Sequence, residues 1–429
     1  MVIFFVVPDT SRTVSTPVVS FIGLNFLVPF LLLQLVVATT ELSQLTTLNN
    51  LSISSINMAP AADPSHSSAK IPIVIKGFAA LGDSYAAGVD AGDMLSRSCW
   101  RFSDGYPGQL NRSDLLPPNH TFEFYACTGA VMRNHWHSAA RPILLRRKEI
   151  WEQIRSIKNP DFVTLSIGGN DARFYDIMNS CLYRFTGPRA TPCDTVLKET
   201  IARVQSDEFA ETYNRVIDEI LATNSANTFR VFVLGYSHFF DDALTDDCND
   251  RSLGFWRLWQ PRLTVNLRRR LNAATRGLNA RIGQIVRNRD DERVIWVNWS
   301  PRFHGHRFCR PGRGIMDKTT WFFDAAFRTF AIGGIDPQTC EQDPAFNTWA
   351  AEALCGIAIT HRDYPDLEPQ EGELETLVIP YIGPDTARLF HPTLEGYAAI
   401  VEEIRAMWPY KGLAAEPESL DRTEGLHLT

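Results

Sequence analysis

Five short apolar runs punctuate the chain, at residues 71–81, 122–126, 162–167, 228–234 and 294–297. Helix-spaced segments separate most of them. Residues 147–157 read as a helix. In 209–221 the apolar positions 209, 213, 216, 217, 220 and 221 fall on one helical face. Leu267, Leu271, Ala274, Leu278, Ile282 and Ile285 mark a second long face. A last helix covers 394–407, with Leu394, Tyr397, Ala398, Val401, Ile404 and Met407 expected to face inward. Apolar strands alternating with amphipathic helices predict an α/β fold with a parallel sheet covered on both sides.

A parallel sheet of this kind places ligands beyond the carboxyl ends of its strands. The first run stops at Gly82-Asp83, a turn signal, so Ser84 sits just past a strand end. Asp83 and Ser84 also read as the cap of the next helix. The second run ends in Cys127-Thr128-Gly129-Ala130, and the third in Gly168-Gly169-Asn170-Asp171. His391 precedes the last helix, in Phe390-His391-Pro392. The topology therefore gathers Ser84, Gly129, Asn170 and His391 at one sheet edge. A serine hydroxyl needs a base to become a nucleophile, and histidine titrates in the right range for that work. The oxyanion formed on attack needs preorganised donors. The Ser84 and Gly129 N–H groups and the Asn170 amide supply three.

In this order the four blocks resemble those of the SGNH (GDSL-type) hydrolases. Gly82-Asp83-Ser84-Tyr85 is similar to that family's nucleophile block. Gly129, Gly168-Gly169-Asn170-Asp171 and His391 are similar to its glycine, asparagine and histidine blocks. The resemblance covers roughly residues 71–407. It implies a flavodoxin-like three-layer α/β/α sandwich with about five parallel strands, acting on esters without a cofactor. One subgroup is closer: secreted, disulfide-bearing lipase/esterases of the kind known from actinomycetes. The chain resembles them at Cys99-x-Arg101, at Tyr106-Pro107, at Tyr125-Ala126-Cys127-x-Gly129-Ala130 and at Phe303-x-Gly305-His306-x-x-Cys309. That resemblance implies disulfides Cys99–Cys127, Cys181–Cys193 and Cys248–Cys309, leaving Cys340 with Cys355. The family usually carries an aspartate three residues before the histidine. Here that position is Arg388, whose side chain cannot accept the imidazole hydrogen bond. The main-chain carbonyl of Arg388 is the expected acceptor, and Asp385 is its rival.

The chain's ends bear on its destination. Residues 1–38 contain a long apolar stretch and read as a signal peptide, with a membrane anchor as the alternative. Residues 39–70, rich in Ser, Thr, Asn and Pro, read as a linker or propeptide. The hydrolase domain is expected over 71–410, with an insertion at 310–380, and 411–429 as a disordered tail. Export fits the eight cysteines and the acceptor triplets at Asn50, Asn111 and Asn119. A fourth triplet, at Asn298, is discounted because Pro301 follows it.

The formal charge of −7 implies no large basic surface and argues against a nucleic-acid partner. Arg268-Arg269-Arg270 reads as a solvated helix face. Asp241, Asp242, Asp246, Asp247 and Asp250 read as a solvated loop pinned by Cys248, and lack a calcium-loop pattern. His304 and His306 have no third ligand at metal-site spacing, and no metal is expected. His135 and His137 read as exposed. Gly235-Tyr236-Ser237-His238-Phe239 lacks the final glycine of a nucleophile elbow and reads as a strand end. The aromatic group Trp321-Phe322-Phe323 reads as core, with a cover over substrate as the alternative. Taken together, the sequence predicts an exported serine esterase acting on a small-molecule or lipid ester. A polysaccharide acetylesterase, and an inactive surface or binding protein on the same scaffold, are the alternatives. Membrane contact is expected only through the N-terminal anchor.

Overall fold

The computed structural model describes residues 75–132, 149–315, 317–323, 337–342, 349–369 and 390–410. All of them belong to one compact unit, residues 69–429. The leader, the linker, Asn50, His135, His137, Asp385, Arg388 and the C-terminal tail lie outside the described residues.

β1 (Gly77–Gly82) is buried along its whole length, as a central parallel strand must be. β2 (Met94–Ser96) and β3 (Arg101–Phe102) form a small antiparallel ribbon in the loop-rich stretch that follows. β4 (Thr121–Phe124), β5 (Phe162–Ser166), β6 (Arg230–Leu234) and β7 (Val294–Val297) complete the main sheet. The sheet order is β4-β1-β5-β6-β7, and every pairing is parallel. Counting only these five strands, the order is 2-1-3-4-5, that of a flavodoxin-like α/β sandwich. The chain reverses its direction of travel across the sheet between β1 and β5. The carboxyl ends of these two strands are where the crevice opens.

Helices cover the sheet because their apolar faces need it. Helix Asp207–Ala222 starts at Ser206, whose hydroxyl accepts the Phe209 N–H at 3.2 Å. Its predicted face, Phe209, Tyr213, Val216, Ile217, Ile220 and Leu221, is buried. Helix Val265–Arg289 buries Leu271, Leu278, Ile282 and Ile285 as expected.

Two helix faces differ from expectation. Arg268 is not solvated: it is 0% exposed, and its guanidinium donates to the carbonyls of Leu263 at 2.8 Å and Thr245 at 2.5 Å. The long side chain reaches back to tie down the loop that precedes its own helix. Helix Leu394–Ala406 buries Tyr397, Ile400, Val401 and Ile404, while Leu394 and Ala398 face solvent. Thr393 caps this helix, accepting the Gly396 N–H at 3.4 Å.

The acidic loop is also less solvated than its composition suggests. Asp241 is buried, and Asp242 pairs with Arg276 and Arg307 and hydrogen-bonds to His238. Burial, followed by the charge of Arg307, holds the His238 imidazole down to about 3, so it is neutral there. Within 310–380 the described residues include helices Pro337–Gln342 and Trp349–Asp363. Cys340–Cys355 joins these two helices. The other disulfides are Cys99–Cys127, Cys181–Cys193 and Cys248–Cys309. Among the described residues no helix is long and apolar enough to cross a membrane.

Candidate active site

β1 ends at Gly82, whose φ of +133° is open only to glycine. A Cβ at this position would run into the Ser166 carbonyl of β5. Gln153 grips the same residue from the other side, accepting the Gly82 N–H at 2.7 Å and donating to its carbonyl at 2.9 Å. The next residue, Asp83, donates its N–H to Ser166 O at 2.8 Å. This tight crossing turns the chain into the short helix Ser84–Ala87, which Gly88 ends in the left-handed conformation. Ser84 opens that helix, at the sheet's carboxyl edge.

Asp83 acts as the helix cap that its sequence suggests, accepting the Tyr85 N–H at 3.0 Å. Its other oxygen accepts the Tyr236 hydroxyl at 2.6 Å. Burial, opposed in part by these two donors, raises the Asp83 carboxyl to about 7. Burial and then the Asp83 charge raise the Tyr236 hydroxyl well above its ordinary value, so it stays a donor. That same hydroxyl accepts the Gly169 N–H at 3.0 Å. One phenol therefore joins the turn after β1 to the turn after β5.

The Gly129 and Asn170 loops are tied together directly. Asn170 Nδ2 donates to Ala130 O at 3.0 Å, and one amide hydrogen remains for another acceptor. Asp171 accepts the Met132 N–H with both carboxylate oxygens, at 3.1 and 3.2 Å. Gly129 has φ +82°. Thr128, beside it, bonds by its N–H to Cys99 O and by its hydroxyl to Trp100 O, both at 2.9 Å. Cys99–Cys127 reinforces that attachment.

His391 arrives from the far end of the chain. Its Nε2 lies 2.7 Å from Ser84 Oγ, and the imidazole is fully buried. Its backbone is held by a short extended pairing: Phe323 N–H donates to His391 O at 2.9 Å, and Thr393 N–H donates to Trp321 O at 2.9 Å. The aromatic group 321–323 is thus a support for the histidine segment, and Phe322 is core. Phe390 sits at φ +60°, a strained value for a bulky residue. The Phe239, Phe308 and Tyr183 rings pack around it at 4.6–6.1 Å.

A pocket opens from Ser84 between the helices. Asn170, Phe174, Met178, Phe239, Leu271 and Leu278 are among the residues that line it. The helical turn Phe174–Met178, helix Cys193–Gln205 and the site roles of Tyr236 and Phe239 were not apparent from the sequence. The run 235–239, read only as a strand end, puts three residues on the pocket wall.

The remaining sequence candidates lie elsewhere. His306 stacks on Trp321 with centroids 3.6 Å apart and bonds to Thr319 O at 2.9 Å. Among the described residues no group of three or more acidic, histidine or cysteine side chains is arranged to hold a metal. Asn119 is exposed, whereas the Asn111 side-chain oxygen bonds to His120 at 2.8 Å.

Residues 80–317 match the GDSL-like lipase/acylhydrolase family. A lipase from Streptomyces rimosus is 30% identical over 237 residues, which is 54% of this chain and 73% of that protein. Lipase 1 from Streptomyces coelicolor is 29% identical over 174 residues, 39% of this chain and 55% of its own length. Among solved structures, a phospholipase A1 from Streptomyces albidoflavus aligns with a TM-score of 0.44 at 24% identity, covering 68% of this chain and 99% of that one. On a family match spanning more than half of its length, the chain belongs to the GDSL-like lipase/acylhydrolase family and is an ester hydrolase.

Proposed function

We propose that Ser84 and His391 form the catalytic dyad of an exported esterase that cleaves acyl or lipid esters. The observation that carries this reading is the 2.7 Å contact between His391 Nε2 and Ser84 Oγ. It is within reach for proton transfer in the resting protein. His391 takes the Ser84 proton as Oγ attacks the ester carbonyl. The Ser84 and Gly129 N–H groups and the Asn170 amide receive the oxyanion. His391 then protonates the departing alcohol, leaving an acyl-serine. Water, deprotonated by His391, attacks this acyl group, and collapse of the second oxyanion returns the proton to Ser84 as the acid leaves.

The apolar wall of Phe174, Met178, Phe239, Leu271 and Leu278 supports an acyl chain over a bare acetyl group. Four disulfides support a destination outside the cytosol. The Arg388 carbonyl remains the proposed orienting acceptor for His391. A collapse of kcat in Asp385→Asn, with Arg388→Ala unaffected, would transfer that role to Asp385.

The direct test compares wild type with Ser84→Ala on p-nitrophenyl esters of increasing acyl length. The proposal expects the variant to lose hydrolysis with an unchanged far-UV circular dichroism spectrum. It also expects wild-type kcat/KM to rise beyond the acetyl ester. Undiminished activity in Ser84→Ala would overturn the dyad. Activity confined to acetylated xylan or pectin would overturn the acyl-chain reading in favour of a polysaccharide acetylesterase.

A further inference from the structure

The excursion at residues 252–262 is closed at its base and bare at its tip. Ser252 and Arg262 pair across its neck, and the Leu263 N–H donates to Arg251 O at 2.9 Å. Its root is buried: Phe255 N–H donates to Tyr183 O at 2.7 Å, and the Trp256 indole donates to Phe185 O at 3.0 Å. Arg257 N–H is held by Glu368 O at 2.8 Å. Beyond this fixed root two large apolar side chains in sequence face outward, Leu258 at 61% exposure and Trp259 at 57%. Trp259 also has φ +69°. A tryptophan in that conformation is strained, and such strain persists only where the surroundings enforce it. The strained backbone at Trp259 thus coincides with an indole that is more than half exposed.

We infer that Leu258 and Trp259 form a docking tip that inserts into the surface of a phospholipid bilayer. Tryptophan favours the headgroup level of a membrane, where its ring is sheltered and its N–H stays hydrated. The rim carries both signs of charge: Arg251, Arg257 and Arg262 with Asp250, Asp366 and Glu368, all exposed. This mixture complements a zwitterionic headgroup layer, in which phosphate and choline lie side by side. Two side chains offer far less surface than the roughly 1,200 Å² of a stable protein interface, so a second protein is the weaker occupant.

The tip is also joined to the candidate active site. Ring contacts run from Trp256 to Phe255, Phe185, Tyr183 and Phe390, in steps of 4.9, 6.2, 5.0 and 6.1 Å. Phe390 directly precedes His391. A bilayer engaged at the tip would therefore be held by the same aromatic core that carries the histidine.

The test is co-sedimentation with phosphatidylcholine vesicles of the protein without residues 1–38, whose apolar stretch would itself partition into lipid. Wild type is expected to sediment with them, with little dependence on salt because the contact is apolar. The Leu258→Ser/Trp259→Ser double variant is expected to lose partitioning by about tenfold or more. Its kcat/KM on soluble p-nitrophenyl butyrate should stay within about twofold of wild type, since neither residue lines the pocket. Trp259→Gly, which fits the backbone without strain, should keep its melting temperature and still lose vesicle binding. Wild type that stays in the supernatant, or variants that sediment as wild type does, would overturn the inference. Ser84→Ala should bind vesicles normally, so a failure of the dyad proposal leaves this result independent.

Discussion

The Tyr85 hydroxyl donates a 2.9 Å hydrogen bond to the carbonyl of Phe390, linking the residue after Ser84 to the residue before His391. The Tyr85 ring also lies 5.0 Å from the imidazole, centroid to centroid. The turn that presents the hydroxyl thereby fixes the segment that presents the base. It also restrains Phe390 in its left-handed conformation.

Tyr85→Phe removes that one bond and keeps the ring. The expected outcome is a fall in kcat of about tenfold, equivalent to one buried hydrogen bond, with KM changed less than about twofold. Steady-state kinetics on p-nitrophenyl butyrate measure it. A rise in KM at constant kcat would show that Tyr85 serves binding and does not position His391.

Asn170→Ala removes the side-chain donor and its tie to Ala130. Loss of one oxyanion donor lowers kcat by about 10²–10³. Asp171→Asn leaves Asn170 in place but weakens the grip on the Met132 N–H, and a smaller loss is expected. Equal kinetics for Asn170→Ala and wild type would remove Asn170 from the proposed oxyanion hole.

Asp83 gives the fold a pH dependence of definite sign. Burial raises its folded value from 3.8 to about 7, so the folded protein keeps a proton that the unfolded chain releases over that range. The associated stability is complete below the unfolded value and is lost as pH rises through the folded one. Asp83→Asn removes the titrating group while keeping a capping side chain. Melting temperatures should fall between pH ~4 and ~7.5 by on the order of 5 °C more in wild type than in the variant. Parallel curves for the two proteins would contradict the assignment.

Cys99–Cys127 closes a segment of 28 residues beside Gly129. Replacing both cysteines by serine is expected to reduce stability by about 3–4 kcal/mol, chiefly by freeing the unfolded chain. Activity should fall as well, because Thr128 and Gly129 hang from that attachment. Chemical denaturation of the double variant checks the first effect, and ester hydrolysis of the folded fraction checks the second.

Much of the frame was legible because local pattern and position carry it. The apolar runs mark strands of the sheet, and the helical face from Phe209 to Leu221 follows its spacing residue by residue. Ser84, Gly129 and Asn170 stood out as candidates because each follows a strand of a parallel sheet, where topology fixes the edge. Other features depend on partners distant in the chain. Tyr236 carries no local signal that its hydroxyl will meet Asp83, 153 positions away. The pairing of 321–323 with 391–393 joins two irregular segments that have no strand pattern of their own. Arg268 looked solvated because a run of arginines on a helix normally is. Its burial follows from carbonyls in the preceding loop, which periodicity does not register. The phase of the last helix slipped because alanine at 398 and 399 gives no preference between faces.

The most direct measurement is labelling of the intact protein with a fluorophosphonate probe, followed by mass mapping of the modified peptide. The account predicts one adduct, on Ser84, that disappears in Ser84→Ala and slows sharply in His391→Ala. An adduct on another serine, or none on active enzyme, would contradict it.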